Sequence, residues 1–501
     1  MRRQDLASRA AASLAWRLSA SFGATAVLVV RSVLLARWLP VEVFGVYALA
    51  ASVIALTGVV ASFGLGSALL HRCSETADEA AAAATHFTLT GLLTLAWAAM
   101  LALAALLSPA GELRTALAVL TLAAACTHLT ATAHALLLRR VEHGRLAALN
   151  LADALLTTVV ALALAAHGAT LWALLTTDLV RAAATVVILC LWRPFWRPRL
   201  RLVASEVRYF LRFGARGMAA GLLQAALDRL DNLWTAASLG AQALGLYSRA
   251  FTFASYPRII VAAPVQAIAA GAYAELKADR RGLSQAFFRS NALLARGGFL
   301  LAGLLAVAAQ ELISVLIGTK WLPMLLAFRL LLVFALLDPI KQTVSQLFVA
   351  VGQPGVLVAT RLIQLAVMAA GLLSLGPWLG IAGVSLAVTA MQVAGLAVLL
   401  VRARRHVDFS PARLFGAPAV ALVVAMLAGQ GAASVVAGAP PLVAATKCAA
   451  FLLSYCLALL ALERRQAREA LAQLAALFTA SGGEDGQGLA GGYGDGNGSS
   501  T

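Results

Sequence analysis

Charged residues are scarce in this sequence, and their scarcity excludes a soluble protein. Only 12% of the 501 residues are Asp, Glu, Lys or Arg, whereas 61% are hydrophobic and the mean hydropathy is +0.86. No soluble core of this length requires so many apolar residues. Apolar runs of about 20 residues recur along the chain, and the ten-residue alternating pattern of an outer-membrane barrel is absent. The composition therefore predicts an all-α polytopic membrane protein.

Acidic residues and paired cysteines are also few. The 22 acidic residues are outnumbered by 39 basic ones, which gives a net charge of +17. A nucleic-acid-binding module would gather this charge on one face, but here the arginines lie between apolar runs. The five cysteines have no paired spacing, so neither a disulfide framework nor a metal site is indicated. We expect no nucleic-acid partner, no metal and no cofactor.

The short motifs of hydrolases and nucleotide-binding enzymes are missing. There is no HExxH, no GxSxG, no GxxxxGK[ST] and no GxGxxG after a strand. The predicted outward loops are also too short to fold an extracytoplasmic domain. The sequence therefore does not predict an enzyme, although a membrane glycan polymerase or ligase remains the alternative from a different functional class.

The apolar runs predict about fourteen transmembrane helices. Their centres lie near residues 24, 55, 97, 125, 157, 181, 225, 262, 304, 338, 365, 390, 424 and 452. If the amino terminus is cytoplasmic, the short loops that follow the odd-numbered helices face outward, and the Arg-rich loops that follow the even-numbered helices face inward. This charge bias predicts that both termini are cytoplasmic.

Two six-helix lobes are expected, followed by two further helices. The predicted segments are an amino-terminal lobe (1–192), a basic interfacial linker (193–212) and a carboxy-terminal lobe (213–405). Helices 13 and 14 (406–463), a basic amphipathic segment (464–480) and a disordered tail (481–501) follow. An internal repeat supports the two lobes. A shift of 200 residues matches Gly45 with Gly245 and Tyr47 with Tyr247, and it places Arg31 on Asp231.

Polar residues recur at helical spacing inside the apolar runs. In the seventh predicted helix, Gln224, Asp228 and Asp231 share one face, and the tenth has Asp338, Lys341 and Gln342. Such residues are costly in lipid and are expected to line a shared wet cavity. The candidates for substrate binding are Arg31, Arg258, Arg229, Lys341 and Gln342, and those for ion coupling are Asp228, Asp231 and Asp338.

Each candidate also has a purely structural interpretation. Asp228 or Asp231 would neutralise a neighbouring arginine in a packed bundle, and Asp338 would pair with Lys341 one turn away. Arg31 and Arg258 are the preferred phosphate ligands because guanidinium groups suit phosphate oxygens. The two interpretations remain open from the sequence.

Several stretches resemble one transporter family. They are LARWLPVEVFGVYALA (35–50), FGLGSALLHR (63–72), LDRLDNLW to LGAQALGLYSRA (227–250), ELISVLIGTKWLP (311–323) and AVGQPG (350–355). Together they are similar to the polysaccharide transporter (Wzx-like) branch of the multidrug/oligosaccharidyl-lipid/polysaccharide (MOP) exporter superfamily. The stretches mark the family rather than the substrate.

This resemblance implies two six-helix lobes around a central cavity that opens alternately to the two sides of the bacterial inner membrane. It implies export of undecaprenyl-pyrophosphate-linked oligosaccharide for O-antigen, capsule or exopolysaccharide, with the polysaccharide polymerase and chain-length machinery as partners. Family members line the cavity with cations, here Arg31 and Arg258, whereas Asp228 and Asp231 depart from a purely cationic lumen.

Net export requires a bias from a proton, Na⁺ or the membrane potential, because a ligand shifts a two-state equilibrium only by its differential affinity. A drug/cation antiporter and a peptidoglycan-precursor flippase of the same superfamily are the alternatives within the transporter class.

Overall fold

The computed structural model describes residues 23–76, 78–107, 110–139, 143–191, 196–435 and 438–464, and this part of the chain is helical without strands. The helices are α1 (23–38), α2 (Val41–Ser62), α3 (Leu65–Glu75), α4 (Glu79–Leu107), α5 (Glu112–Arg139), α6 (His143–Ala166), α7 (Leu171–Val186), α8 (Ala204–Glu275), α9 (Arg280–Val307), α10 (Ala309–Leu312), α11 (Leu325–Ala350), α12 (Gly355–Ala403), α13 (Pro411–Val435) and α14 (Pro440–Leu462). Short π-helical turns follow α7 and α10, and the 3-10 turn Thr319–Met324 precedes α11.

Two of these helices each consist of two halves. α8 breaks at Gly240 (φ 85°) and α12 breaks at Gly380 (φ 56°), where a side chain would strain the left-handed backbone. With the halves counted separately, each of the fourteen predicted centres lies in a helix. Within the described ranges, nine helices are long and apolar enough to cross a membrane. The chain is a multi-pass membrane protein, and the number of crossings stays a prediction.

The two ends of the bundle differ in their connections. One end, the short-turn end, contains the turns at residues 39–40, 167–170, 240 and 380. The other, the basic end, contains the connections 196–203, 276–279, 351–354 and 404–410. Contacts within each end agree with this grouping. At the basic end, for example, Arg280 pairs with Asp408 at 2.8 Å.

The helices pack as two lobes with an added pair. Helices α4–α7 pack against one another and against α2, whereas α8, α9 and α12 pack around α11. Helices α13 and α14 pack on α9, and the ion pairs Lys447–Glu311 and Arg296–Glu463, both 2.6 Å long, fix α14 to the second lobe. The predicted segment boundaries stay predictions. The amphipathic segment 464–480, apart from Arg464, and the tail 481–501 lie outside the described residues.

The lobes meet along α2 and α8, and the repeated glycines allow this contact. A Cβ atom on Gly45 would overlap the carbonyl oxygen of Ala241, and one on Gly245 would overlap that of Val41. The two contacts are reciprocal, as expected for two copies of one unit. Towards the basic end, a Cβ on Gly214 would overlap the carbonyl oxygen of Phe63. The lobes are therefore in backbone contact near both ends.

Side chains reinforce the contact near the short-turn end. Lys320 of the second lobe donates to the carbonyl oxygens of Arg37 (3.0 Å) and Leu39 (2.7 Å). Trp321 Nε1 donates to the carbonyl oxygen of Ala36 at 2.9 Å. The last carbonyls of a helix lack partners within the helix. Lys320 and Trp321, here called the short-turn latch, thus cap α1 from the opposite lobe.

A second set of side chains joins the lobes at the basic end. Arg72 of α3 forms a bidentate ion pair with Glu206 of α8, with N–O distances of 2.6 and 2.8 Å. Its guanidinium also lies 4.8 Å from the centre of the Tyr209 ring. Bidentate pairs of this kind are among the stronger hydrogen bonds. Arg72 and Glu206 are here called the basic-end latch. The two latches thus join the lobes near both ends of the bundle.

Candidate functional site

The second lobe contains a polar cavity of about 420 Å³. Its walls come from α8, α11 and α12, and no described residue of α1–α7 lines it. The polar lining residues are Gln224, Asp228, Arg229, Asp231, Arg258, Asp338, Lys341, Gln342, Ser345, Thr360, Arg361 and Gln364.

Seven of the eight predicted site residues line this cavity, all except Arg31. Helical spacing explains the grouping. Gln224, Asp228 and Asp231 lie at positions i, i+4 and i+7 of α8, and therefore on one face. Asp338, Lys341 and Gln342 lie within one turn of α11. The stripes predicted for these two helices thus meet across a single cavity. Their roles in binding or coupling stay predictions.

Asp338 pairs with two of the predicted cations. Its carboxylate lies 2.8 Å from Arg258 Nη1 and 3.4 Å from Lys341 Nζ, and its residue is only 3% exposed. Gln392 donates to the same carboxylate at 3.3 Å and accepts from Lys341 at 3.0 Å. One negative charge on Asp338 is therefore shared by two positive side chains, Arg258 and Lys341. The pairing of Asp338 with Lys341 that the sequence suggested is present.

The two carboxylates of α8 that line the cavity accept hydrogen bonds from neutral donors. Asp231 is 5% exposed and accepts from the Tyr247 hydroxyl and from the backbone N–H of Asn232. Asp228 accepts from Gln224 Nε2 at 2.9 and 3.0 Å and is exposed to the cavity. Neither forms an ion pair with Arg229 within the described residues. Neither carboxylate is therefore in direct contact with a cationic side chain of the described residues.

Two cations in the cavity are free of carboxylate partners. Across the described part of the chain, no ion pair or hydrogen bond involves Arg229 or Arg361. The lining has four cationic and three acidic side chains, so cations are in slight excess. Arg361 and its neighbours Thr360 and Gln364 were not among the predicted residues. The feature of the sequence that could have identified them is Arg361 itself, a single charged residue inside the predicted helix centred near residue 365.

Arg31 lies outside this cavity, and the expectation that it shares one chamber with Arg258 is not met. Its Nη1 donates to Thr157 Oγ1 of α6 at 2.8 Å, within the first lobe. Nearby, Arg181 pairs with Asp153 at 3.0 Å and Tyr47 donates to Asp178 at 2.7 Å. The physical reason is that α1 presents this face to α6, where Thr157 accepts a hydrogen bond from the guanidinium.

The lining of the cavity has side chains that can bind anions and sugars. Guanidinium and ammonium groups bind anions, and the amides and hydroxyls of the lining can hydrogen-bond to sugars. Among the described residues, no group of three His, Cys, Asp or Glu side chains could hold a metal ion.

Comparison with known proteins agrees with this geometry. The model of the family described as "Polysaccharide biosynthesis protein" matches residues 34–326, which is more than half of the chain. The teichuronic acid biosynthesis protein TuaB of Bacillus subtilis is 23% identical over 176 residues. That match spans 35% of this chain and 36% of TuaB, about a third of each.

Solved structures of transporters share the fold. The lipid II flippase MurJ, in an inward closed conformation, superposes with a TM-score of 0.76 at 12% identity, over 90% of this chain and 99% of MurJ. An inward-facing multidrug resistance MATE family transporter gives 0.59 at 16% identity, over 78% and 97%. A MOP superfamily transporter from Pyrococcus furiosus gives 0.53 at 14% identity, over 81% and 94%. The chain therefore belongs to the polysaccharide biosynthesis protein family, and its fold is similar to that of these solved transporters.

Proposed function

We propose that this protein is a flippase that moves polyprenyl-diphosphate-linked oligosaccharide across the bacterial cytoplasmic membrane for surface polysaccharide synthesis. The observation that carries the proposal is the polar cavity among the membrane helices, in which Arg229 and Arg361 have no carboxylate partner within the described part of the chain. Membership in the polysaccharide biosynthesis family supports the substrate class. In the membrane, the basic end faces the cytoplasm, as its excess of arginine favours.

The chemistry of the substrate matches the lining. A diphosphate carries negative charge that cannot cross lipid unaided, and arginine binds its oxygens with charge-assisted hydrogen bonds. Gln224, Gln342 and Gln364 supply amide groups for sugar hydroxyls. The polyprenyl tail stays in the apolar phase, where its burial costs nothing. Only the head group therefore needs a polar path.

Movement of the head group requires that the cavity open alternately to each side. The short-turn latch and the basic-end latch are the contacts that must break in turn. A proton, Na⁺ or the membrane potential supplies the bias for net export, and a charge moved through 100 mV gains about 2.3 kcal/mol. Asp228, Asp231 and Asp338 are the proposed coupling residues. The polysaccharide polymerase and chain-length machinery are the proposed partners on the outer side.

A complementation experiment tests this function. Loss of the gene should abolish the surface polysaccharide and leave lipid-linked oligosaccharide in the inner leaflet, and the wild-type chain should restore export. The Arg229→Gln/Arg361→Gln variant should reach the membrane in normal amount without restoring export. Arg329→Gln, which changes an exposed arginine of α11 outside the cavity, is the matched control. Normal polysaccharide output from the double variant would overturn the assignment of these two residues.

The acidic residues of the cavity favour a second candidate, a drug/cation antiporter, in which Asp228 and Asp231 bind the cation. Drug efflux from membrane vesicles without any effect on surface glycan would support it. A peptidoglycan-precursor flippase is a third candidate because of the likeness to MurJ. Depletion of the gene distinguishes it, since loss of a peptidoglycan precursor flippase would be lethal.

A further inference from the structure

The connection between the two lobes, residues 196–203, is fixed to α4 of the first lobe. The backbone N–H of Arg201 donates to Thr88 Oγ1 at 3.0 Å, and the backbone N–H two residues later donates to Thr85 Oγ1 at 3.3 Å. At its beginning, the Trp196 ring packs edge-on against a phenylalanine ring of α4, with 5.5 Å between the ring centres. The side chains of the connection therefore form a defined surface on the first lobe.

The same contacts give the depth of the connection in the membrane. Thr85 and Thr88 precede Leu107, the last residue of α4, by about 20 residues. At a rise of 1.5 Å per residue, the two threonines lie about 28–33 Å from that end of the helix. The hydrocarbon core of a bilayer is about 30 Å thick. The connection therefore lies near the boundary between acyl chains and head groups at the basic end.

Exposed arginines crowd the connection and the first turns of α8. In the connection they alternate with other residues along the chain, and in α8 they recur at i, i+4 and i+8, on one face of the helix. They are here called the arginine patch, and they are Arg197, Arg199, Arg201, Arg208, Arg212 and Arg216. Arg201 lies 3.9 Å from the exposed carboxylate of Asp78. In the ranges that the structure describes, the other five have no ion-pair partner, so their guanidinium groups are available to anions.

Apolar side chains lie among these arginines without a cover of protein. Leu200 is 82% exposed and Leu202 is 54% exposed in the connection, and Leu211 is 40% exposed on α8. The opposite face of α8 packs against the protein, where Glu206 and Phe210 are buried. Leucine side chains leave water for an apolar phase when one is in reach. At this depth the acyl chains of the leaflet provide that phase.

We propose that the arginine patch, with Leu200, Leu202 and Leu211, forms a binding surface for anionic phospholipid of the leaflet at the basic end. The lipid phosphates bind the guanidinium groups, and the acyl chains cover the leucines. A basic amphipathic surface binds anionic head groups more strongly than zwitterionic ones.

This occupant fits the surface better than a soluble polyanion does. An acidic protein or a nucleic acid matches the charge of the arginine patch, but neither supplies apolar chains to leucines at the hydrocarbon boundary. The site goes beyond the proposed function because its lipid is a constituent of the membrane and is not transported. The bound lipid anchors the segment that joins the two lobes.

Lipid binding by the purified full-length protein in detergent tests the site. Native mass spectrometry counts the lipids retained during titration with phosphatidylglycerol or with phosphatidylcholine of the same acyl chains. Wild-type protein should bind phosphatidylglycerol about tenfold or more tightly than phosphatidylcholine, and Arg199→Gln/Arg208→Gln should lose most of this preference. Arg404→Gln/Arg405→Gln, which removes two exposed arginines of the second lobe at the same end, is the matched control and should keep it.

Photolabelling measures the position of the acyl chains independently. A phosphatidylglycerol with a diazirine near the glycerol end of one chain should label peptides that contain residues 196–213. Labelling confined to α13 and α14 would overturn the proposal. Equal binding of the two lipids by the wild-type protein, or a full preference for phosphatidylglycerol in Arg199→Gln/Arg208→Gln, would do the same. An equal loss of preference in the two double variants would also contradict it, because the effect would then belong to net charge rather than to the arginine patch. The melting temperature of each variant verifies that it is folded.

Discussion

Asp338 is the residue on which the charge of the polar cavity depends most. It is the shared partner of Arg258 and Lys341, and it is almost fully buried on α11. Removing one member of a buried ion pair leaves the other charge uncompensated, which costs more than the pair itself contributes. The cost is reduced here because the Arg258 side chain is 35% exposed to the cavity.

The Asp338→Asn variant should therefore be less stable, by about 1–3 kcal/mol. Addition of Arg258→Gln should recover part of this loss, with a coupling of at least about 0.5 kcal/mol in the double-mutant cycle. Thermal unfolding of the purified protein in detergent measures both effects. Asp228→Asn, which removes a carboxylate whose one hydrogen-bond partner among the described residues is Gln224, is the control and should change stability little. Strictly additive effects of Asp338→Asn and Arg258→Gln would show that the pair contributes nothing.

Single residues also mark the limit of what the sequence could predict. The carboxylates and cations of α8 and α11 were predictable because they repeat at helical spacing inside apolar runs. Arg361 was missed because it is the one charged residue between Gly355 and Val401, and Gln364 at i+3 is neutral, so no charged stripe marks this face. Arg31 was grouped with the cavity because spacing gives the face of a helix but not the neighbour that this face meets.

Among the helices, α2 and α8 determine how closely the lobes approach. Their contact depends on Gly45 and Gly245, which the 200-residue repeat relates to each other. The repeat predicted that the two positions are equivalent. It could not predict that they pack against one another, since a repeat in sequence gives no relation in space between its copies.

Alanine at Gly45 or Gly245 should push the two helices apart. The new Cβ overlaps a backbone carbonyl oxygen, which cannot move without the helix, so a loss of about 1–3 kcal/mol is expected. Gly271→Ala, at a helical position with open space around it, should be neutral or stabilising by up to about 1 kcal/mol. Thermal unfolding again gives the comparison. Equal melting temperatures for all three variants would contradict the close contact of α2 and α8.

At the scale of the whole molecule, the two latches join the lobes near the two ends of the bundle. Lys320→Met removes two caps from α1, and Glu206→Gln removes the charge that pairs with Arg72. If the lobes rock about a fixed centre, Lys320→Met should widen the short-turn end only, and Glu206→Gln the basic end only. Each should shift the distribution of conformations towards one open form.

Spin-label distances measure these shifts in a chain whose native cysteines are replaced. Labels at Glu42 and Trp378, both exposed, report on the short-turn end, and labels at Leu70 and Arg404 report on the basic end. The spin-labelled protein with both latches intact provides the reference distances. Simultaneous widening of both ends in either variant would argue against alternating access and for general loosening of the lobes.

The fold as a whole was largely predictable, because lipid requires every spanning segment to be an apolar helix with its backbone satisfied internally. The helical class, the two lobes and the added pair all follow from apolar runs and the repeat. The latches were not predictable. Lys320 and Trp321 belong to a family-like stretch, but nothing local to 311–323 indicates that its partner is the end of α1, some 280 residues earlier.

The central claim is that this protein carries a polyprenyl-diphosphate-linked oligosaccharide from one leaflet to the other. The most direct measurement reconstitutes the purified chain in liposomes that contain such a lipid and follows how much of its sugar is open to a membrane-impermeant enzyme. The account predicts that wild-type protein moves the lipid between leaflets much faster than protein-free liposomes do, and that Arg229→Gln/Arg361→Gln protein does not. Equal rates with wild-type protein and with no protein would contradict it.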